Sequence, residues 1–480
     1  MEPVVLVHPR GFGYVRGQAD ITHLANRMAP LGLLSIAGML RKHGIPVRVF
    51  DLCARPLPPD RLVSELMRLR PRLLGLSCTT ASFLDGVRTI EAIKRDMPDL
   101  KVVFGGVHVS SLKGAILERF PAIDMVVAGE GEPAMLGLAE GKPPSSIPGV
   151  FCRDGDGIRT AGPREELVDL DLLPFPAYDL IEGFPRKYLL PIFNYPRFPG
   201  ATMVTSRGCP YQCSYCDRSV YGRSYRFNSA DYVYGQMKYL RRRFGVRHIN
   251  IYDDQFTFRR SRVKELCDRL AAEPLDLTFN CAVHMGHIDR DLLKALKRAG
   301  CWMVSIGIES GDPGLVSFHK QNVQIARVHE HVAMIKQAGL RVKGLFMMGL
   351  PGETEETIQR TIRFILSLDL DDMNMSKFTP FPGSPIYRRI HEFGRFEENW
   401  DMMNCLNFTF VPEGISSKAR LDELYSLFLK SYYQRAKVHR KYIRMMWQSP
   451  HSYSVLLRHL PRFVRARNYW DSGAGEKLTV

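Results

Sequence analysis

The sequence contains no apolar run long enough to cross a membrane. Its longest charge-free apolar stretch runs from about Met28 to Leu40, whereas a hydrocarbon core of ~30 Å needs roughly 20 residues of helix. Glu2 stands where an export signal carries a basic residue, and the first apolar run ends at His8-Pro9. We therefore predict a cytoplasmic protein without a transmembrane helix.

Cysteine is also scarce. Ten cysteines in 480 residues are far fewer than a disulfide-built secreted domain contains. Seven of them lie singly, which is typical of reduced thiols in a cytosol, and the other three are Cys209, Cys213 and Cys216. With 45% apolar and 24% charged residues, the composition is that of a folded chain of several domains, so intrinsic disorder is excluded as its main state.

Short apolar strands alternate with helical patterns over residues 1–140. This alternation indicates a parallel, doubly wound, Rossmann-like α/β sheet, whose ligands bind at the carboxyl ends of the strands. Residues 141–197 are rich in Pro and Gly and are predicted to be a linker. The predicted strands are Val4–Val7, Val47–Leu52, Leu73–Ser77, Val102–Gly105 and Met125–Ala128, and the predicted helices are Leu31–His43, Asp60–Arg70, Phe83–Asp96 and Leu112–Arg119.

A second alternation over residues 198–388 predicts a partial (β/α)6 TIM barrel. Three of its helices end at a glycine, as helices often do, and a barrel carries its chemistry at the carboxyl ends of its strands. Residues 389–480 are predicted to be a helical C-terminal region. The six predicted strands are Thr202–Ser206, His248–Tyr252, Leu277–Val283, Trp302–Ile308, Val342–Met348 and Met373–Phe378.

A C-x3-C-x2-C array, Cys209, Cys213 and Cys216, directly follows the first barrel strand. Thiolates bind zinc or iron–sulfur clusters. A closed zinc site needs a fourth ligand close by, and the next candidate, His248, lies beyond a helix. Three cysteines on one loop therefore favour a [4Fe–4S] cluster with one iron left open. The alternative is a zinc site that borrows a distant fourth ligand.

This array at the mouth of a barrel resembles the radical S-adenosylmethionine (SAM) family. The resemblance implies that the amino and carboxylate groups of SAM chelate the open iron. It also implies an electron donor such as flavodoxin or ferredoxin. The SAM contacts that it implies are Tyr215 beside the adenine, Asp253 or Asp254 at the amino group, Glu309 at the ribose, and Gly349 and Gly352 in the glycine-rich segment after the fifth strand.

Glycines and hydroxyls follow three strands of the N-terminal domain. Bare glycines let a large ligand approach the backbone, and hydroxyls donate hydrogen bonds. Ahead of a radical SAM barrel, this set resembles the vitamin-B12-dependent branch of the family and implies cobalamin as a further cofactor. No histidine has the usual lower-ligand spacing, so neither His8 nor His108 is assigned to cobalt. The implied cobalamin contacts are Ser77, Thr79, Gly105, Gly106, Gly129 and Glu130.

The resemblance implies an enzyme in which a 5′-deoxyadenosyl radical removes hydrogen from an unactivated carbon. Methyl transfer from cobalamin is then the usual outcome, and ring formation or carbon-skeleton rearrangement is the alternative. A tRNA methylthiotransferase would carry three further cluster cysteines in the N-terminal domain, where only Cys53 and Cys78 precede the linker. An iron–sulfur electron carrier or scaffold would not need Glu309 or the glycine-rich segment.

Positive charge is concentrated near the C-terminus. Lys and Arg exceed Asp and Glu by 66 − 50 = 16, and nine of the basic residues, with no acidic one, lie between Ser431 and Trp470. Apolar and aromatic residues interleave with them at helical spacing, which is typical of a helix in a lipid headgroup region. We predict contact with an anionic membrane and a lipid-like or other large apolar substrate; the alternative is a basic helix packed on the barrel. Nucleic acid is not expected as a partner.

Overall fold

The computed structural model describes residues 2–11, 27–155, 157–320 and 323–460. Its N-terminal sheet is ordered β2-β1-β3-β4-β5-β6-β7, with the first five strands in the chain parallel and the last two antiparallel. The order reverses between β1 and β3, which is where such sheets bind ligands. The strands are β1 (Val4–His8), β2 (Val47–Asp51), β3 (Leu73–Ser77), β4 (Val102–Gly105), β5 (Met125–Val127), β6 (Val150–Asp154) and β7 (Gly157–Thr160).

Helices cover both faces of this sheet, so its central strands are apolar on both sides. Val5 and Leu76 belong to the core on one face, and Val4 and Leu6 to the core on the other. The Rossmann-like fold is confirmed. The helices are α1 (Leu31–Lys42), α2 (Pro59–Leu69), α3 (Thr80–Asp96), α4 (Val107–Leu112), α5 (Ala115–Arg119) and α6 (Gly131–Ala139).

Two local features of this domain differ from the sequence prediction. The helix predicted at Leu112–Arg119 is two short helices, α4 and α5, because Lys113 has a left-handed backbone (φ +54°) that interrupts the helix. The segment predicted as a linker at 141–197 contributes β6 and β7 to the sheet. Its high Pro and Gly content concealed these two short antiparallel strands.

The second domain contains a six-stranded, all-parallel sheet with strand order β15-β14-β13-β12-β11-β8, which confirms the partial barrel. A short antiparallel pair, β9 with β10, follows the first strand. The strands are β8 (Gly200–Met203), β9 (Ser206–Arg207), β10 (Arg226–Phe227), β11 (His248–Ile251), β12 (Thr278–Val283), β13 (Cys301–Glu309), β14 (Arg341–Met348) and β15 (Asp372–Lys377).

Helices pack on the outer side of the barrel and form its main core with the strands. Helix α7 ends at Gly245, whose backbone is left-handed (φ +67°), as the sequence predicted. The helices are α7 (Ala230–Phe244), α8 (Arg260–Ala272), α9 (Arg290–Arg298), α10 (Pro313–His319), α11 (Val328–Gln337) and α12 (Glu355–Ser367).

The C-terminal region is helical only in part. It begins with an antiparallel pair, β16 (Gly394–Phe396) and β17 (Phe410–Pro412), before α13 (Lys418–Tyr433), α14 (Ala436–Gln448) and α15 (Pro450–Arg458). No helix in the described ranges is long and apolar enough to cross a membrane. The last predicted membrane contacts lie outside the described residues; they are Arg462, Phe463, Val464, Arg465, Arg467 and Trp470.

Candidate functional site

Cys209, Cys213 and Cys216 lie on one loop after β9, and each is partly exposed. We call residues 207–217 the cluster loop. Burial, the Asp254 carboxylate and the other two thiols raise the pKa of Cys216 to about 12, so the thiols and Asp254 lie close together. A positive metal centre is what such thiols need in order to ionise. The donor set therefore fits an iron–sulfur cluster.

The described residues contain no group of three His, Cys, Asp or Glu side chains that could hold a single metal ion. In a [4Fe–4S] cluster each cysteine binds a different iron, so the thiolates stand farther apart than the ligands of one ion. Cys209, Cys213 and Cys216 stay the predicted ligands of such a cluster.

The middle of the cluster loop is fixed to the barrel by side chains between the cysteines. Ser214 Oγ lies 2.6 Å from His319 Nδ1, and the Ser214 backbone N–H donates to the His319 carbonyl over 2.9 Å. His319 Nε2 lies 2.7 Å from the Pro351 carbonyl, and Tyr211 Oη lies 2.6 Å from His287 Nε2. These contacts hold the loop against the carboxyl ends of the strands.

Tyr215 and Glu309, both predicted SAM contacts, lie together at this end of the barrel. Burial raises the pKa of the Tyr215 phenol, and the Glu309 and Cys213 charges raise it further. Glu309 ends β13 with a left-handed backbone (φ +68°), an unusual conformation for a residue other than glycine. Its Oε1 accepts a hydrogen bond from Lys320 Nζ over 2.7 Å. No motif in the sequence pointed to Lys320.

The two acidic residues after β11 have different surroundings. Asp253 is buried, and its carboxylate accepts hydrogen bonds from Thr205 N (2.5 Å), Thr205 Oγ1 (2.6 Å) and Ser206 Oγ (2.8 Å). Arg262 Nη2 lies 3.7 Å from it. Asp254 instead lies near Cys209 and Cys216, whose pKa values it raises. Asp253 therefore supports the start of the cluster loop, and Asp254 is the acid that faces the cysteines.

The glycine-rich turn after β14 is organised by Glu353. This buried carboxylate accepts hydrogen bonds from the backbone of Gly349 (2.5 Å) and Leu350 (3.2 Å), and burial raises its pKa to about 8. Gly349 has φ +88°, and a Cβ there would lie 3.0 Å from the Phe408 ring. Gly352 also has a left-handed backbone (φ +80°).

A cleft of about 230 Å³ opens at the carboxyl edge of the N-terminal sheet. Val220 and Tyr221, which follow the cluster loop, form part of its wall. Ligands of this sheet type bind at this edge. The predicted cobalamin contacts that line the cleft are Ser77, Gly105, Gly106, Gly129 and Glu130.

Two glycines that line this cleft could carry a Cβ without a clash. A Cβ at Gly105 would have no neighbour closer than 3.7 Å, and one at Gly32 would have none within 4 Å. Gly106 is different, because its φ is +98° and a Cβ there would lie 2.4 Å from the Cys78 carbonyl oxygen. Gly105 and Gly32 thus offer bare backbone to a ligand, whereas Gly106 is required by the chain itself.

Thr79 does not line the cleft. Its backbone N–H donates to Ser82 Oγ over 2.9 Å and its hydroxyl lies 3.1 Å from the same oxygen, which forms a capping box at the start of α3. The structure thus gives Thr79 a helix-capping role, and its contact with cobalamin stays a prediction.

Glu130 lines the cleft, but its carboxylate is held by arginines. Its side chain is fully buried and accepts hydrogen bonds from Arg164 Nη1 (2.6 Å), Arg207 Nη1 (2.6 Å) and Arg226 Nη1 (2.7 Å). Burial would raise the pKa of the neighbouring Glu132, but the charge and hydrogen bonds of Arg207 lower it. No motif in the sequence pointed to these arginines. Only the position of Arg207, two residues before Cys209, could have indicated its role.

Sequence comparisons agree with both halves of this site. The family model described as the B12 binding domain matches residues 17–139, and the model of the Radical SAM superfamily matches residues 203–365. The chain belongs to the cobalamin-dependent radical SAM enzymes. Its cofactors are accordingly a [4Fe–4S] cluster, SAM and cobalamin.

Three curated relatives of the enzyme are named as a methyltransferase, a cyclase and a methylase. An uncharacterized methyltransferase from Pyrococcus horikoshii is 29% identical over 420 residues, 85% of this chain and 88% of that protein. The anaerobic magnesium-protoporphyrin IX monomethyl ester cyclase of Rubrivivax gelatinosus is 26% identical over 463 residues, 92% and 80% of the two chains. The hopanoid C-3 methylase of Methylococcus capsulatus is 26% identical over 394 residues, 79% and 71%.

Solved structures share the fold of the enzyme. The cobalamin-dependent SAM radical enzyme OxsB superposes with a TM-score of 0.72 at 15% identity, covering 100% of this chain and 76% of that one. The radical SAM methyltransferase TsrM from Kitasatospora setae gives a TM-score of 0.65 at 23% identity, covering 82% and 76%. At these identities the likeness concerns the fold alone.

Proposed function

We propose that the enzyme methylates an unactivated carbon of a lipid-like or other large apolar substrate. When bound, the cluster and SAM supply a 5′-deoxyadenosyl radical, and cobalamin supplies the methyl group. The observation that carries the proposal is the shared wall of the two sites: Tyr221, which lines the cobalamin cleft, follows Cys216 by only five residues. Both groups would therefore reach the same space at the barrel mouth.

The side chains at the mouth have separate roles in this proposal. Cys209, Cys213 and Cys216 hold the cluster. Asp254, the acid near the thiols, binds the SAM ammonium, and Glu309 binds the ribose. Fixed side chains of this kind hold the reacting atoms in line, which is the protein's main contribution when cofactors supply the chemistry.

Support for an apolar substrate comes from one relative and one surface. The relative is the hopanoid methylase, whose name describes a lipid substrate. The surface, which we call the basic apolar face, combines Arg440, Ile443, Arg444 and Trp447 of α14. Ile443 is 54% exposed and Trp447 77%, and exposed apolar side chains grouped in this way favour an interaction site.

The basic apolar face suits an anionic membrane. Residues 440, 443, 444 and 447 share one side of α14, and basic and apolar side chains alternate there as in interfacial helices. Lys437 and Lys441 of the same helix pair with Asp369 (2.9 and 2.7 Å) at the amino end of β15, so this face lies at the opposite end of the barrel from the cluster loop. It would anchor the enzyme and not contact the reacting carbon.

Product analysis tests the reaction. Anaerobically reconstituted enzyme, incubated with SAM, reduced flavodoxin as electron donor and lipid extract from a deletion strain, should form both 5′-deoxyadenosine and S-adenosylhomocysteine and a lipid one methylene heavier. The cyclase relative covers 92% of the chain, so ring formation is the second candidate. It predicts 5′-deoxyadenosine without S-adenosylhomocysteine and a product that has lost hydrogen without gaining carbon.

A further inference from the structure

Both ends of the cluster loop are bound to the N-terminal domain. At the first end, Arg207 donates to Glu130 Oε1 and to Glu132 Oε1, each over 2.6 Å. At the other end, Asp217 Oδ2 lies 3.0 Å from Ser111 Oγ, whose hydroxyl also lies 2.9 Å from the Val107 carbonyl. We call these contacts the domain clamp. Arg207 and Asp217 flank the three cysteines, so the whole ligand loop lies between the two clamp points.

Neighbouring hydroxyls complete each clamp point. Ser35 Oγ donates to Glu132 Oε1 over 2.6 Å. Ser219 Oγ lies 2.9 Å from Ser111 Oγ and 3.2 Å from the Val107 carbonyl, while its backbone N–H donates to Asp217 Oδ1 over 2.8 Å. Each clamp point is therefore a small network and not a single contact.

The ion pairs of the first clamp point are buried, so breaking them would be costly. The side chains of Glu130, Glu132 and Arg207 are 0%, 5% and 11% exposed. Breaking a buried ion pair leaves an uncompensated charge out of water, which is strongly unfavourable. Arg207 also forms two separate hydrogen-bond contacts, a geometry that lysine cannot reproduce. The position of the loop therefore depends on where residues 130 and 132 are held.

The same segments form the wall of the cobalamin cleft. Val107, Gly129, Glu130, Gly131 and Glu132 all line it. The Gly129 backbone N–H donates to Ser110 Oγ over 2.9 Å, which connects the two segments to each other. A ligand in the cleft would thus lie directly against the backbone that carries both clamp points.

We propose that the domain clamp couples cobalamin binding to SAM binding, with Arg207 and Asp217 as positioning residues. This inference rests on the cofactor set given above. Cobalamin in the cleft would hold residues 107–111 and 129–132 in one arrangement, and the clamp would impose that arrangement on the cluster loop, where SAM binds. Because coupling between two binding sites is reciprocal, SAM would tighten cobalamin binding by the same factor.

The test uses the full chain with its cluster reconstituted anaerobically. The dissociation constant of SAM is measured from the change that SAM causes in the electron paramagnetic resonance signal of the reduced cluster, with and without hydroxocobalamin. For the wild type, cobalamin should lower the SAM dissociation constant about fivefold or more. Arg207→Lys, which keeps the charge but loses one contact, and Ser111→Ala should each reduce this factor towards one.

Arg164→Lys is the matched control. Arg164 also pairs with Glu130 (2.6 Å) but lies outside the cluster loop, so this variant should keep the wild-type coupling. Ser111→Ala creates no buried charge, so it should fold even if Arg207→Lys does not.

The outcomes separate the two proposals. Cobalamin uptake without any effect on SAM affinity in the wild type would overturn the clamp alone. Full coupling in both Arg207→Lys and Ser111→Ala, or an equal loss in Arg164→Lys, would overturn it as well. Failure of the wild type to take up cobalamin would overturn the clamp together with the cobalamin-dependent reaction.

Discussion

The Trp400 ring packs edge-on against the His108 imidazole, with 4.5 Å between their centroids. Phe83 contacts both rings, and its ring centroid lies 5.6 Å from that of Trp400 and 4.6 Å from that of His108. Trp400 belongs to the C-terminal region and the other two residues to the N-terminal domain, so this aromatic cluster joins the C-terminal region to the N-terminal domain. Burial, followed by the Arg119 charge, lowers the pKa of His108 to about 3.

The neutral His108 makes the cluster sensitive to acid. The pKa of His108 is lower in the folded than in the unfolded protein, so its contribution to stability is complete above the unfolded value near 6.5 and is lost as the pH falls towards 3. We expect wild-type stability to fall over this window by up to about 1.4 kcal/mol per pH unit from this group. His108→Phe should have a shallower slope in chemical denaturation across the same pH series. An unchanged slope would contradict the assignment.

Cluster binding and SAM cleavage should both require the three cysteines of the cluster loop. Replacing Cys209, Cys213 and Cys216 with alanine should abolish both the iron–sulfur absorbance of the reconstituted enzyme and the cleavage of SAM, because no other described cysteines share one loop in this spacing. The control is Cys53→Ala, which removes an exposed thiol of the N-terminal domain and should leave both signals intact. Retention of the cluster in the triple variant would refute the ligand assignment.

The cobalamin cleft can be tested with a pair of variants that separate binding from folding. Gly105→Leu should fill free space in the cleft and raise the cobalamin dissociation constant about tenfold to a hundredfold, as expected for an overpacked site. Thr79→Ala should cost about 1 kcal/mol of stability through loss of the α3 cap and leave the dissociation constant unchanged. Absorbance titration with hydroxocobalamin and urea unfolding measure the two effects. Equal weakening of binding by both changes would restore Thr79 to the cleft.

Much of the architecture could be predicted because apolar periodicity determines it locally. The strands β3 and β4 coincide with their predicted bounds, since continuous apolar runs between helices are typical of a parallel sheet. Glu130 shows the limit of such reasoning. A glutamate at a strand end resembles a ligand contact, but its three arginine partners lie 34 to 96 positions away in the chain. Thr79 shows the opposite case, because its hydroxyl contacts Ser82, a residue only three positions away in the chain.

Substitutions of the two acidic residues after β11 should affect different properties, one the stability of the protein and the other its affinity for SAM. Asp253→Asn should lower the unfolding free energy by about 2–4 kcal/mol, because it disrupts buried, charge-assisted hydrogen bonds. Asp254→Asn should leave stability nearly unchanged and raise the SAM dissociation constant roughly tenfold or more, as expected for the loss of a charged hydrogen bond. Urea unfolding measures the change in stability, and equilibrium dialysis with SAM measures the change in affinity. Unchanged SAM affinity in Asp254→Asn would remove this acid from the site.

Membrane contact through the basic apolar face should depend on α14. The full chain should float with anionic vesicles of phosphatidylglycerol and phosphatidylcholine, and less so as salt rises, since each basic residue near an anionic leaflet contributes ~1 kcal/mol. Replacing Ile443 and Trp447 with alanine should reduce flotation strongly. The matched control replaces two exposed apolar residues outside the face, Val168 and Leu172, which are 83% and 66% exposed, and should float like the wild type. Equal flotation of both double variants, or none by the wild type, would show that α14 does not anchor the enzyme to lipid.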